Sequence, residues 1–163
     1  MLIKPMELTE LDQVIALENA VWSNQNTPAP LPVASKDKLI KSFENGRHFL
    51  VAKEKNCILA VLDYGPLYSF PSGSHVVTFG IAVADSQRRK GIGKKLIRAF
   101  LDTVKNDYQI VLIHVLSTNC PAIAFYESLG FCLEARLKRQ FFLSGQYVDD
   151  LIFTFDLTKH PAA

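Results

Sequence analysis

The residues most suited to chemistry fall in one short stretch, Ile81-Ala-Val-Ala-Asp-Ser-Gln-Arg-Arg-Lys-Gly-Ile-Gly-Lys-Lys95. From Arg88 to Arg98 there are six basic residues (Arg88, Arg89, Lys90, Lys94, Lys95, Arg98) and no acid, a third of the chain's 18 Lys and Arg. Such clustering makes one local anion-attracting patch on a protein whose formal net charge is only +2. Gly91 and Gly93 stand where an Ile-Ala-Val strand gives way to an apolar-periodic helix. The first amides of a helix have no partner within it, and the helix dipole adds partial positive charge there. Glycines let a bulky anion approach that backbone, so the arrangement suits a pyrophosphate.

Two familiar phosphate loops do not fit. A Walker loop requires serine or threonine after its lysine, but Lys95 follows Lys94, and no glycine stands five residues before Gly91. A dinucleotide fingerprint requires a third glycine at position 96, which is Leu96.

A strand near Leu2–Lys4 leads to a helix capped at Thr9, with Leu11, Val14, Ile15, Leu17, Val21 and Trp22 at helical spacing. Prolines 28, 30 and 32 make a loop, followed by a short helix over Ser35–Phe43. Strands are expected over His48–Lys53, Ile58–Tyr64 and His75–Ala84, then a helix over Gly91–Lys105. A strand over Gln109–Leu116 precedes a helix over Pro121–Leu129. The tail reads as a hairpin, Leu133–Phe142 and Gln146–Leu157, turning at Ser144-Gly145. The order β-α-α-β-β-β-α-β-α-β-β describes an α/β protein with a mixed central sheet, one domain over residues 1–163.

Arg88-x-x-Gly91-x-Gly93 after the Ile-Ala-Val strand resembles the coenzyme A loop of the GNAT family of N-acetyltransferases, whose consensus is Q/R-x-x-G-x-G/A. A second signature of that family, N-x-x-A-x-x-x-Y-x-x-x-G-F, is matched at Asn119, Ala122, Tyr126, Gly130 and Phe131. The resemblance implies a GNAT-like sheet splayed between its fourth and fifth strands, with pantetheine in the gap against main-chain groups of Ile81 and Val83. It implies acetyl-CoA held by Ile81, Ala82, Val83, Arg88, Arg89, Lys90, Gly91, Ile92, Gly93, Lys94, Asn119, Ala122 and Tyr126. Asn119 can also cap the following helix.

Acetyl transfer to an amine needs a neutral nucleophile, a stabilised oxyanion and a proton for the departing thiolate. By resemblance, Tyr126 is the general acid for the sulfur. His114 interrupts the apolar run Ile110–Val115 at the place where the ribosomal-protein alanine acetyltransferase branch carries a glutamate, so a neutral imidazole there would serve as base. His75 is the weaker alternative, and water is another. An acyl-cysteine on Cys120 has no base beside it in the sequence. Acceptor contacts are expected from Glu18, Trp22, Tyr64 and Tyr147, with Tyr68, Asp149 and Asp150 also on offer, because acids and aromatics suit a cationic amine. The resemblance leaves open a small-molecule amine, a protein N-terminus or a lysine.

With 48% hydrophobic and 21% charged residues, the composition is that of a globular chain. Its three cysteines have no C-x-x-C spacing, which argues against a disulfide framework or a zinc site and suggests that Cys57 and Cys132 are core residues. The residues from Met1 lack a signal-peptide pattern, and no apolar run approaches the ~18 residues that span a bilayer, so a cytoplasmic protein without membrane partners is expected. A homodimer is left open. Rival readings are an acyl-CoA sensor without turnover and a nucleic-acid binder using the 88–98 patch, the latter disfavoured because a basic run is usually a solvated face.

Overall fold

A computed structural model describes residues 1–159. Seven strands form one sheet: β1 Leu2–Pro5, β2 His48–Glu54, β3 Cys57–Pro66, β4 Val76–Val83, β5 Ile110–Leu116, β6 Cys132–Leu143 and β7 Gln146–Asp156. Four α-helices join them: α1 Leu11–Val21, α2 Lys36–Glu44, α3 Ile92–Val104 and α4 Cys120–Ser128. The element order matches the sequence expectation. In space the strands run β1-β2-β3-β4-β5-β7-β6, antiparallel except for the parallel β4–β5 pair. The final hairpin turns at Ser144 (φ 51) and Gly145 (φ 80), two left-handed residues as a tight two-residue hairpin turn requires.

Two cores cover the two faces. On one, α3 places Leu96, Ile97, Phe100 and Val104 against Leu62, Val77, Val111, Val115 and Phe153. On the other, α1 and α2 place Leu11, Val14, Leu17 and Leu39 against Val51, Val61 and Ala82. Strand alternation follows: Val111, Ile113 and Val115 face α3, while Leu112 and His114 turn to the α1 side.

The entry into α1 differs from expectation. Thr9 does not cap it; Leu8–Glu10 forms a short 3-10 turn, and the Glu10 carboxylate accepts from the Glu7 amide at 2.8 Å. Glu10 is buried and also takes Lys4 and Lys53, each at 2.6 Å. The cysteines differ too. Cys57, Cys120 and Cys132 are all exposed, since the first and third sit at strand ends and the second at the first turn of α4.

Candidate functional site

Strands β4 and β5 are paired only at Val76↔Ile110 and Val77↔Val111. Beyond those pairs β4 runs on to Val83 and β5 to Leu116 without meeting, which is the splay. The Ala84 amide donates to Leu59 of β3 and the Val76 carbonyl accepts from Leu67, so the even-numbered residues of β4 bond toward β3. By alternation the main-chain groups of Phe79, Ile81 and Val83 point into the gap. That is an unpaired strand edge, open to an extended amide-bearing ligand.

At the end of β4 a 3-10 turn, Asp85–Gln87, feeds a loop in which Arg89 (φ 63) and Gly91 (φ 78) are left-handed. Gly91 is the N-cap of α3 and supplies no side-chain cap to its amides. A Cβ on Gly91 would meet nothing within 4 Å, so glycine serves the backbone conformation and leaves the helix mouth open. A Cβ on Gly93 would come within 3.3 Å of Phe125 and 3.5 Å of Val83, so this glycine lets α3 start close to β4 and α4. Arg88, Arg89, Lys90 and Lys94 are exposed around the mouth, with Arg88 paired to Asp85 at 2.9 Å. Ile92 is core and Ala82 is buried on the α1 face, so either could offer only its backbone.

Helix α4 lies on the α3 side of the gap. Asn119 caps it, accepting from the Ala122 amide, and Ala122 packs on the core edge. Tyr126 sits among Phe79, Phe125 and Phe131, at centroid distances of 6.1, 5.4 and 5.5 Å. Burial pushes its hydroxyl above the usual tyrosine range, so the group stays a proton donor.

The opposite face of the gap carries different chemistry. Each three residues beyond the last pair, Val77↔Val111, Gly80 and His114 lie on the same face of the two diverging strands. Its Nδ1 lies 2.7 Å from Oδ2 of Asp150, which is buried. Beside Gly80 lies Asp63 of β3, whose carboxylate is bonded by Arg47 and would be 3.1 Å from a Gly80 Cβ. On α1 the Trp22 indole N–H donates to Glu18. Burial first, and then the charge of Asp63, push Glu18 up to about 7, against the opposing hydrogen bond from Trp22.

Glu18, Trp22 and His114 therefore share the α1 side, and Tyr126 holds the other. Tyr64 and Tyr147 are not brought to them. Tyr64 is buried on the α3 face, stacked on His48 and tilted against Phe100; burial, then Tyr108 and Asp107, push its hydroxyl up. Its place in the β3 alternation, opposite to Asp63, makes it core. Tyr147 lies exposed against Phe142, and Tyr68 against Phe70. Asp149 accepts from the Arg139 amide and the Arg136 guanidinium, which hold it below the usual carboxylate range. Sequence reading missed a cavity of roughly 250 Å³ between the loop after α1 and the hairpin tip. Asn24, Gln25, Thr118, Leu143, Ser144, Gln146 and Val148 line it, Val148 lying two residues before Asp150. Only the fold brings those segments together, and no motif marks them. Among the described residues no three His, Cys, Asp or Glu side chains converge as a metal-holding group, and no helix is long and apolar enough to cross a membrane.

The profile of the Acetyltransferase (GNAT) family matches residues 11–131. The chain belongs to this family. An N-alpha-acetyltransferase of Saccharolobus solfataricus is 34% identical over 158 residues, covering 90% of this chain and 86% of that protein. The crystal structure of smu.2055 from Streptococcus mutans UA159 superposes with a TM-score of 0.95 at 64% identity, covering 96% of this chain and 99% of that one. The structure of yncA from Salmonella typhimurium, solved with its cofactor acetyl-CoA, shares the fold at TM-score 0.86 and 20% identity, over 100% of this chain and 97% of its own. Membership in the family makes the protein an acyltransferase.

Proposed function

We propose that the protein binds acetyl-CoA and transfers its acetyl group directly to a primary amine. The observation that carries this reading is the splay: an unpaired edge at Phe79, Ile81 and Val83 that runs to the uncapped, basic N-terminus of α3. A pyrophosphate suits the α3 amides with Arg88, Arg89, Lys90 and Lys94, and an amide-bearing arm suits the β4 edge, where Gly93 and Ala122 keep the neighbouring helices thin. Bound there, acetyl-CoA supplies an activated thioester.

The chain's own groups divide by face. Tyr126, protonated and on the α4 side, holds a proton for the sulfur. His114, on the α1 side, takes the proton of the incoming ammonium, and Glu18 with Trp22 receives its charge; the His114–Asp150 and Trp22–Glu18 bonds support these roles. Departure and attack thus lie on opposite sides of the gap. The amide- and hydroxyl-lined cavity near Val148 suits peptide-like polarity next to the amine, as in a peptide N-terminus or an amino acid. A cytoplasmic location agrees with a supply of acetyl-CoA.

The test is to incubate the protein with acetyl-CoA and a panel of free N-terminal peptides, amino acids, lysine side-chain mimics and polyamines, following thiol release and acceptor mass. Amine-dependent release supports the reading. Release no faster than thioester hydrolysis with every amine, despite CoA binding, leaves a sensor.

A further inference from the structure

We propose that Asp150 is a positioning residue: it fixes His114 in the tautomer that presents a bare Nε2 to the splay. This rests on the reading of His114 as the base of N-acetyl transfer. The 2.7 Å contact joins Nδ1 to a carboxylate oxygen. An ionised carboxylate only accepts, so Nδ1 carries the hydrogen and the lone pair of the neutral ring is left on Nε2. Asp150 is set opposite Leu116 of β5 and Leu137 of β6, inside the sheet, where its carboxylate has little freedom to swing. The His114 side chain is 51% exposed against 8% for Asp150, so the ring's outer edge is open.

Burial of this carboxylate calls for a reason, since a charge taken from water is costly unless matched. Among the described residues only Glu10 and Asp150 are charged and buried. Two lysines meet Glu10; an imidazole, which gains its charge only on protonation, meets Asp150. A fixed cation would match it permanently, whereas histidine lets the match strengthen when a proton arrives. The proton leaves the acceptor nitrogen, binds Nε2, and departs to solvent from the exposed edge. Asp150 offsets the charge of the transient imidazolium. Three other carboxylates on the neighbouring elements have partners of their own. Asp63 across the splay is bonded to Arg47, Glu18 of α1 to Trp22, and Asp149 to Arg136; Ile152 opposite His114 is apolar.

The direct test is 15N NMR of the imidazoles at high pH, with the His114 signal assigned by its loss in His114→Gln. The expected result is an Nδ1–H tautomer in the wild type that moves toward Nε2–H in Asp150→Asn, because the amide N–H₂ can then donate to Nδ1. An Nε2–H tautomer in the wild type overturns the proposal even if Asp150→Asn fails to fold. In turnover, Asp150→Asn should lower kcat by about 10²-fold near neutral pH, with the KM for acetyl-CoA unchanged. Asp150→Glu should recover part of the rate, and the deficit of Asp150→Asn should narrow at high pH, where the amine loses its own proton. A slow His114→Gln beside an Asp150→Asn of wild-type rate and pH profile sinks the positioning role and spares the base. Wild-type rates from both variants remove the base as well. Absence of amine acetylation by the wild type defeats the proposed function, and the tautomer measurement still decides the pairing.

Discussion

Tyr126 and Glu18 are both acids whose proton is held by burial, and they face opposite sides of the gap; in the proposed reaction they serve opposite ends of the transfer. Tyr126 has three aromatic neighbours, and its burial keeps the hydroxyl a donor across the working pH range. Tyr126→Phe should keep the packing, leave the KM for acetyl-CoA nearly unchanged and lower kcat by about 10²-fold or more; wild-type turnover would leave the ring a packing role alone. Glu18 can be watched directly, because the chain has one tryptophan and its indole N–H is bonded to this carboxylate. Protonation weakens that bond, so intrinsic fluorescence should titrate with a midpoint at about 7. The transition should vanish in Glu18→Gln; its persistence there would assign it to another group. These residue types were legible in the sequence, and so were the spacings of Tyr126 and His114. Their faces were not. Tyr64 and Asp63 are neighbours in sequence and lie on opposite sides of the sheet, and the link from His114 to Asp150 spans 36 positions with no local signal.

At the scale of elements, the strand–turn–helix from β4 to α3 was the most legible part, because glycine and charge mark it and the apolar period of α3 follows at once. Its two glycines do different work. Gly91 needs its left-handed φ and has open space around it, so Gly91→Ala should fold with a loss of about 1–2 kcal/mol from backbone strain. Gly91→Glu shares that strain and adds a carboxylate at the helix mouth. CoA at ~100 times its dissociation constant should stabilise the wild type by about 2.7 kcal/mol. Melting curves with and without CoA should show a reduced shift in the alanine variant and none in the glutamate variant. An undiminished shift in Gly91→Glu would place the phosphates elsewhere. Gly93 is held by contact instead: a Cβ there would press on the Phe125 ring, which must give by a few tenths of an ångström, and would touch Val83. That constraint is tertiary, and the motif shows the glycine without its reason. The cap of α1 was missed for a related cause. Thr9 has the right residue type, but Glu10 can reach the Glu7 amide and two lysines from separate strands at once.

For the whole molecule, hydrophobic periods of two and 3.6 set the element order, while the spatial order β5-β7-β6 depends on how the last hairpin docks on β5. The sheet is therefore secured differently at its two ends. The β7–β6 end is tied to β5 by the ladder and by Ser117, whose amide and hydroxyl bond the Asp149 main chain at 3.0 and 3.1 Å. The β1 end relies on Glu10, which ties the 3-10 turn to Lys4 of β1 and Lys53 of β2. Burial alone would raise the Glu10 carboxyl, but the two lysines and the Glu7 amide outweigh it and bring it from 4.5 to about 2. A carboxyl depressed in the folded state contributes stability above its unfolded value and loses it as pH falls through the folded one. The contribution should thus be complete above about pH 5 and mostly gone near pH 2, and a depression of this size corresponds to about 3 kcal/mol. Urea unfolding at pH 7 should find Glu10→Gln less stable by roughly that amount, with more lost if the lysines cannot reach solvent. Repeating the comparison toward pH 2 should bring the two proteins together, the wild type falling toward the variant. A deficit that is the same at pH 7 and pH 2 would assign the effect to packing of the side chain and leave its charge without a part in holding β1 to the sheet.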